Sequence, residues 1–359
     1  MKLRGEDALL PTTHVGSYPR PVFMQGRVFE PGLHAPEFPG FRERELYRSA
    51  VASVVHDQER IGLDIVTDGG QHYENETDYE LAELFHHLPH RLKGYRPYGD
   101  RIQVGQYDMP IWKPTIESRV EWERPIFKPV AEAVRSATDL PMKINVGIGP
   151  VTQAILSTDK YYGGDIAAAA MDIAAAYNAE FKDMAARGVE QIQYAEPLPI
   201  LFALLEPSQW MLDVINRSWE GVEAYRVVHM CYGHEEGQSA MPDGGPMGDK
   251  IFPWAFGIDC DQLHLEMASH QFSDTKALSA WPADKDLGVG VIDVKNLRAE
   301  TSEQIAAWIR QTIAVVPPER VCVSTDCSVA SLRRVVAGKK LSALVEGTRV
   351  VRSELNGSL

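Results

Sequence analysis

The chain has 359 residues and a formal net charge of −14, with 44% hydrophobic and 24% charged side chains. That length can bury a sizeable core in one large domain or two small ones, and the composition is ordinary for a globular protein. The acidic balance argues against a nucleic-acid partner, and no apolar run approaches the roughly 20 residues of a membrane helix, so neither nucleic acid nor membrane is expected as a partner.

The opening residues, MKLRGEDALLPTTHVGS, lack the apolar core and small-residue cleavage site of a secretory leader. A cytoplasmic location is therefore expected, with reduced thiols at the four cysteines Cys231, Cys260, Cys322 and Cys327. Strands are expected near 12–16 (TTHVG), 63–67 (LDIVT), 142–147 (MKINVG), 191–195 (QIQYA), 226–231 (RVVHMC), 262–266 (QLHLE), 288–293 (GVGVID) and 321–325 (VCVST). Apolar residues at i, i+3, i+4 spacing predict helices over 41–61, 164–188 and 301–315. Eight strands alternating with helices favour a single (β/α)8 TIM barrel, an α/β fold, over residues 1–359. Two segments break the rhythm. Residues 72–125, rich in tyrosine, tryptophan and proline, predict an excursion inserted between the second and third strands, and the glycine-rich stretch 233–249 predicts a mobile loop.

In such a barrel the C-terminal ends of the strands face the active site. Four side chains of ligand type fall there: His229 and Cys231 on the fifth strand, Glu266 on the sixth and Cys327 after the eighth. Positions i and i+2 of a strand share a face, so His229 and Cys231 can both point inward. Two thiolates, an imidazole and a carboxylate suit Zn2+ in a tetrahedral site. A closed structural zinc would use the same four ligands.

The ordered motifs TTHVGSYPRP, GLDIVTDG, KINVGIGPVT, IQYAEP, HMCY, LHLE, GVIDVK and STDC span nearly the whole chain. In that order they resemble the catalytic C-terminal barrel of cobalamin-independent methionine synthase. The resemblance implies a zinc-dependent transferase that moves a methyl or other alkyl group onto a zinc-activated thiol. It implies His229, Cys231, Glu266 and Cys327 as metal ligands, with Glu266, the hardest donor, loosening when a thiol arrives. The implied partners are a small-molecule thiol and an alkyl donor.

Departures from the family pattern bear on the substrate. Gly70 and Ala195 stand where two acids hold the amino group of homocysteine, and an unpaired buried ammonium is costly. The expected acceptor is therefore a thiol other than homocysteine, unless Asp68 or Glu196 compensates. Leu156 and Leu201 stand at two folate-contacting positions, and Lys295 at the position of the family's proton-donating histidine. Lys295 could serve as an acid, particularly if burial lowers its pKa, with Asp293 orienting it and Glu196 as a further catalytic candidate. Ser17 matches a serine that contacts the acceptor's carboxylate. These changes fit the epoxyalkane:coenzyme M transferase branch, where a sulfonate-bearing thiolate opens an epoxide. Arg20, with His72 behind it, is then the anion-binding candidate. Methyl transfer from a folate or methylcobalamin to homocysteine remains an alternative, as does a metal-free lyase or decarboxylase on a related barrel. His264 is expected beside the metal ligands or as a core histidine, His234 near them in sequence, and Cys260 and Cys322 as structural residues.

Overall fold

Six of the eight expected strands lie side by side in one parallel sheet. The computed structural model describes residues 1–24, 41–71, 87–96, 101–103, 110–233, 248–273 and 275–357. The strands are β1 (Lys143–Ile148), β2 (Gln191–Ala195), β3 (Tyr225–Met230), β4 (Gln262–Leu265), β5 (Asp286–Gly290) and β6 (Val321–Ser324). Their order in space is their order in the chain, every neighbouring pair is parallel, and helices fill most of the connections.

The helices used below are α1 (Phe41–Ile61), α2 (Lys128–Ala137), α3 (Pro150–Leu156), α4 (Ile166–Ala186), α5 (Gln209–Trp219), α6 (Ser302–Ile313) and α7 (Arg334–Leu355). Three of them match the predicted helices within two residues at each end. Side-chain caps explain two of the starts: Asp165 accepts from the Ala168 amide at 3.0 Å, and Thr301 from the Gln304 amide at 3.2 Å. Alternation along β2 explains how helices seat on the sheet. Ile192 and Tyr194 face outward, and Tyr194 stacks on Trp219 of α5 at 4.7 Å, which stacks in turn on Phe181 of α4 at 4.8 Å.

The segments expected as the first two strands form isolated parallel bridges instead: Thr12 with Val323, Ser17 with Gly69, and Val66 with Met142. Side chains take over much of the ladder there. Asp64 accepts from the amide and hydroxyl of Thr12, both at 2.7 Å. Gln58 of α1 donates to Thr67 O and accepts from Thr67 N, and His14 Nε2 meets both Gln58 and Thr67 Oγ1. Main-chain bonds still run from Val323 N to Pro11 O, from Asp64 and Ile65 N to Thr12 O, and from Lys143 N to Val66 O. The two segments thus lie between β6 and β1.

Part of the 72–125 excursion falls within the described residues. Lys93–Arg96 pairs antiparallel with Thr115–Glu121, which pairs parallel with Thr158–Asp159, and Arg101–Gln103 pairs antiparallel with Pro110–Trp112. Buried Glu180 of α4 anchors its return by accepting from Trp122 Nε1 at 2.6 Å and Phe127 N at 2.8 Å. Residues 72–86 and 234–247, which include His72, His234 and most of the 233–249 loop, lie outside the described residues.

Register partners share a face. The face carrying His229 therefore also carries Ala195, His264, Gly288 and Cys322, and one step lower Asn145, Gln193, Val227 and Gln262. A sheet interior is usually lined by branched apolar residues; this one is largely polar. Glycines give it room: a Cβ at Gly288 would sit 2.7 Å from Gln262 Oε1 and His264 Cδ2, and one at Gly290 would collide with Asp326.

Candidate metal centre

The i, i+2 pair at the end of β3 does turn inward together. One ligand atom each from His229, Cys231 and Cys327 lies within 4.8 Å of the other two, and all three residues are buried. The two sulfurs are 3.5 Å apart. His229 Nδ1 meets His264 Nδ1 at 2.6 Å, while His229 Nε2 is buried with no hydrogen-bond partner. An orphaned imidazole nitrogen near two free thiols is a donor set that fits a soft divalent cation.

The surrounding electrostatics agree with that fit. Burial, reinforced by the positive ends of His229 and Lys143, holds His264 well below the usual histidine range, so it is neutral. A neutral His264 can accept at Nδ1 from His229 Nδ1–H, and that tautomer leaves the His229 Nε2 lone pair for an ion. The Cys327 hydrogen bond holds Cys231 well below the ordinary thiol range, against burial, and the same shared proton pushes Cys327 up. One thiolate is thus prepared before any ion arrives.

Glu266, the expected fourth ligand, is not in the group within 4.8 Å. Its carboxylate is fully buried and has other partners: Lys295 Nζ and Ser269 Oγ at Oε1, and the Tyr232 amide at Oε2, 2.7 Å away. Behind it, Asp326 accepts from the amides of Met267, Ala268 and Ser269 at 2.9, 2.9 and 2.6 Å. Sequence reading passed over Asp326, although it sits inside the STDC motif beside Cys327. Burial acts to lower Lys295, but Glu266 and Asp326 outweigh it and the net shift is upward, contrary to the expected lowering.

The remaining candidates have these places. Asp293 Oδ1 accepts from Lys295 N at 2.9 Å, an Asx turn that fixes the lysine backbone. Glu196 caps α3, accepting from Val151 N at 2.8 Å, Thr152 N at 3.2 Å and Thr152 Oγ1, and burial pushes it up to about 7. Ser17 lies against the residues following Cys327, its carbonyl accepting from Ser328 Oγ and Val329 N, and its own hydroxyl is buried with no partner. Arg20 is part-buried and Asp68 buried, both in the segments between β6 and β1. Ala195 is the register partner of His229, which places a methyl group beside the candidate ligand. All four cysteines are free and buried.

Comparisons with known proteins bear on the family and the fold. Residues 10–349 match the model of the cobalamin-independent synthase catalytic domain. The chain is 33% identical to a methionine synthase of Saccharolobus solfataricus, over 97% of this chain and 96% of the relative. It is 32% identical to a 2-hydroxypropyl-CoM lyase of Xanthobacter autotrophicus, over 99% and 98%. It superimposes with a TM-score of 0.79 on a B12-independent methionine synthase from Shewanella sp. W3-18-1 solved with selenomethionine, at 26% identity, covering 98% of this chain and 100% of that one. A methyltransferase from Methanosarcina mazei, at 13% identity and a TM-score of 0.61, shares the fold. The chain belongs to the cobalamin-independent methionine synthase family.

Proposed function

We propose that the protein is a zinc-dependent transferase that alkylates a small thiol other than homocysteine. Zinc, when bound, would supply a Lewis acid that keeps an incoming thiol deprotonated at neutral pH. The observation that carries the reading is the buried trio of His229, Cys231 and Cys327 with its orphaned imidazole nitrogen. In this reading the trio holds the ion and Glu266 is an exchangeable fourth donor. The enclosing fold is read as one closed (β/α)8 barrel over 1–359, with residues 11–17 and 63–69 as its first two staves and 72–125 inserted after the second.

Gly70 and the Ala195 methyl offer no carboxylate to an ammonium, and buried Asp68 is the nearest acid in sequence to the first of these positions. The unpartnered Ser17 hydroxyl suits the anionic end of a thiol, with Arg20 and His72 as further anion-binding candidates. Lys295 stays an ammonium at neutral pH. It can still protonate a strong base such as the alkoxide of an opening epoxide, with Asp293 fixing its turn. Glu196 serves this scheme as the cap of α3, which starts directly after the C-terminal end of β1.

Epoxide opening by a sulfonate-bearing thiol is the second reading. The full-length likeness to a 2-hydroxypropyl-CoM lyase favours it. The test is to incubate zinc-loaded protein separately with homocysteine and with 2-mercaptoethanesulfonate, measuring binding and zinc-dependent proton release. The proposal expects the sulfonate thiol to bind more tightly and release a proton. Tight binding of homocysteine would defeat the reading of Gly70 and Ala195.

A further inference from the structure

We propose that Lys340 of α7 is a positioning residue: from the outer layer of helices its ammonium grips the loop 293–300 and so sets where Asp293 and Lys295 stand. For catalysis the inference rests on the reading of Lys295 as an acid. The hold on the loop stands without that reading.

Lys339 and Lys340 are neighbours with opposite fates. Lys339 is exposed, whereas Lys340 lies with Ala337, Leu341 and Leu344 on the buried stripe of α7, its side chain 0% exposed. An amphipathic helix ordinarily carries an apolar residue at such a position. Stability does not account for the exception, because a buried ion pair is often no better than apolar side chains of similar volume. The bonds do account for it. Lys340 Nζ donates to Asp293 O at 3.0 Å, to Arg298 O at 2.7 Å and to both oxygens of Glu300 at 3.1 Å. An ammonium has three donors, and all three are used on this one loop between β5 and α6.

The loop has few other polar ties. Among the described residues, no bond between main-chain groups involves 293–300. Its own side chains serve instead: Glu300 accepts from Asp293 N at 3.0 Å, Asp293 from Lys295 N at 2.9 Å and Asn296 from Arg298 N at 2.9 Å. Those bonds close the loop on itself, and its tip at 296–298 is exposed. Lys340 ties it to α7. Asp293 is thereby bound at its amide, its carbonyl and its carboxylate, and the carboxylate holds the backbone of Lys295. The Lys295 side chain is 8% exposed and its Nζ meets Glu266, so a shift of the loop moves that ammonium.

The test compares full-length wild type with Lys340→Met and with the double variant Lys340→Met/Glu300→Gln. The single change strands a buried carboxylate. The double change removes both charges, which a buried site tolerates far better, while still releasing the carbonyls of Asp293 and Arg298. Acetylation by acetic anhydride is followed by peptide mass spectrometry, with buried Lys143 at the start of β1 as the gauge of general loosening. Relative to Lys143, Lys295 should react at least about tenfold faster in both variants, with faster hydrogen exchange at the amides of Asp293 and Lys295. A merely structural role predicts the wild-type ratio in the folded double variant, and that result would overturn the proposal. If Lys340→Met does not fold, the double variant decides. For the link to catalysis, zinc-loaded protein is given 2-mercaptoethanesulfonate and 1,2-epoxypropane. Misplacing a reacting group by about 1 Å can cost on the order of a hundredfold, so kcat should fall by about that factor in the double variant, with zinc affinity and the KM for the thiol unchanged. A kcat equal to that of wild type would overturn the link. Wild type inactive on these probes would instead defeat the reading of Lys295 as an acid, and the acetylation ratio would still decide whether Lys340 holds the loop.

Discussion

The two ends of the parallel sheet carry the same residue types in opposite states. At the C-terminal ends of the strands, Cys231 and Cys327 share a proton, and Lys295 is matched by Glu266. At the N-terminal ends, burial pushes Cys260 up to about 12 and Cys322 up to about 11, and it pulls Lys143 down to about 8. His14, close to Lys143, is pulled down to about 3 by burial and by that lysine. The difference lies in the loops. Turns after the strands bring carboxylates and amides to the upper end, whereas at the lower end burial governs Lys143. Paired groups gather where partners are supplied, and burial alone governs the rest.

The largest test of that contrast is chemical. In metal-free protein at neutral pH, iodoacetamide should modify Cys231 at least about a hundredfold faster than Cys260 or Cys322, because the thiolate is the nucleophile. Peptide mass spectrometry reads the ratio, and comparable rates would erase the distinction. Next is Lys340 of α7, which is fully buried and donates to Glu300 and to the carbonyls of Asp293 and Arg298. Lys340→Met strands the Glu300 carboxylate and should cost about 3–5 kcal/mol in denaturant unfolding.

Lys143→Met should act in the other direction. The lysine falls from its ordinary 10.5 to about 8 in the folded chain. At about 1.4 kcal/mol per pH unit, removing it should stabilise the protein by up to roughly 3 kcal/mol at neutral pH. The sign follows from proton binding. Between the two values the unfolded chain holds more protons, so wild-type stability climbs with pH there and is lost again as pH falls toward 8. The advantage of Lys143→Met should therefore shrink over that window, and a pH-independent gain would show that charge is not its cause. The smallest effect is expected of Cys322→Ala, a loss of about 1 kcal/mol from one vacated sulfur with zinc affinity unchanged. A fall in zinc affinity would move Cys322 to the reactive end.

Sequence reading reached what local periodicity encodes. QIQYA alternates strictly and forms β2 over the expected residues, and HMC places His229 and Cys231 on one face because the strand repeat is two. TTHVG and LDIVT, expected as strands too, form single bridges, because His14 bonds to Gln58 of α1 and to Thr67, and Asp64 to Thr12, through side chains in place of a ladder. The ion pair of Lys295 with Glu266 joins residues 29 apart, and the Asp326 clamp joins residues up to 59 apart. No spacing rule connects such positions; packing does. The polar lining around Lys143 was hidden for the same reason: KINVGI alternates Lys143, Asn145 and Gly147 with Ile144, Val146 and Ile148, and it is packing that buries both faces.

The grip of Asp326 has one more consequence. Its carboxylate holds the amides of residues 267–269, and the next residue in the chain is Cys327. Any pull on that sulfur is passed along a short tether to the turn that bears Ser269 and follows Glu266. Filling the trio should therefore slow hydrogen exchange at those three amides, a remote gauge of occupancy that can be followed without watching a reaction.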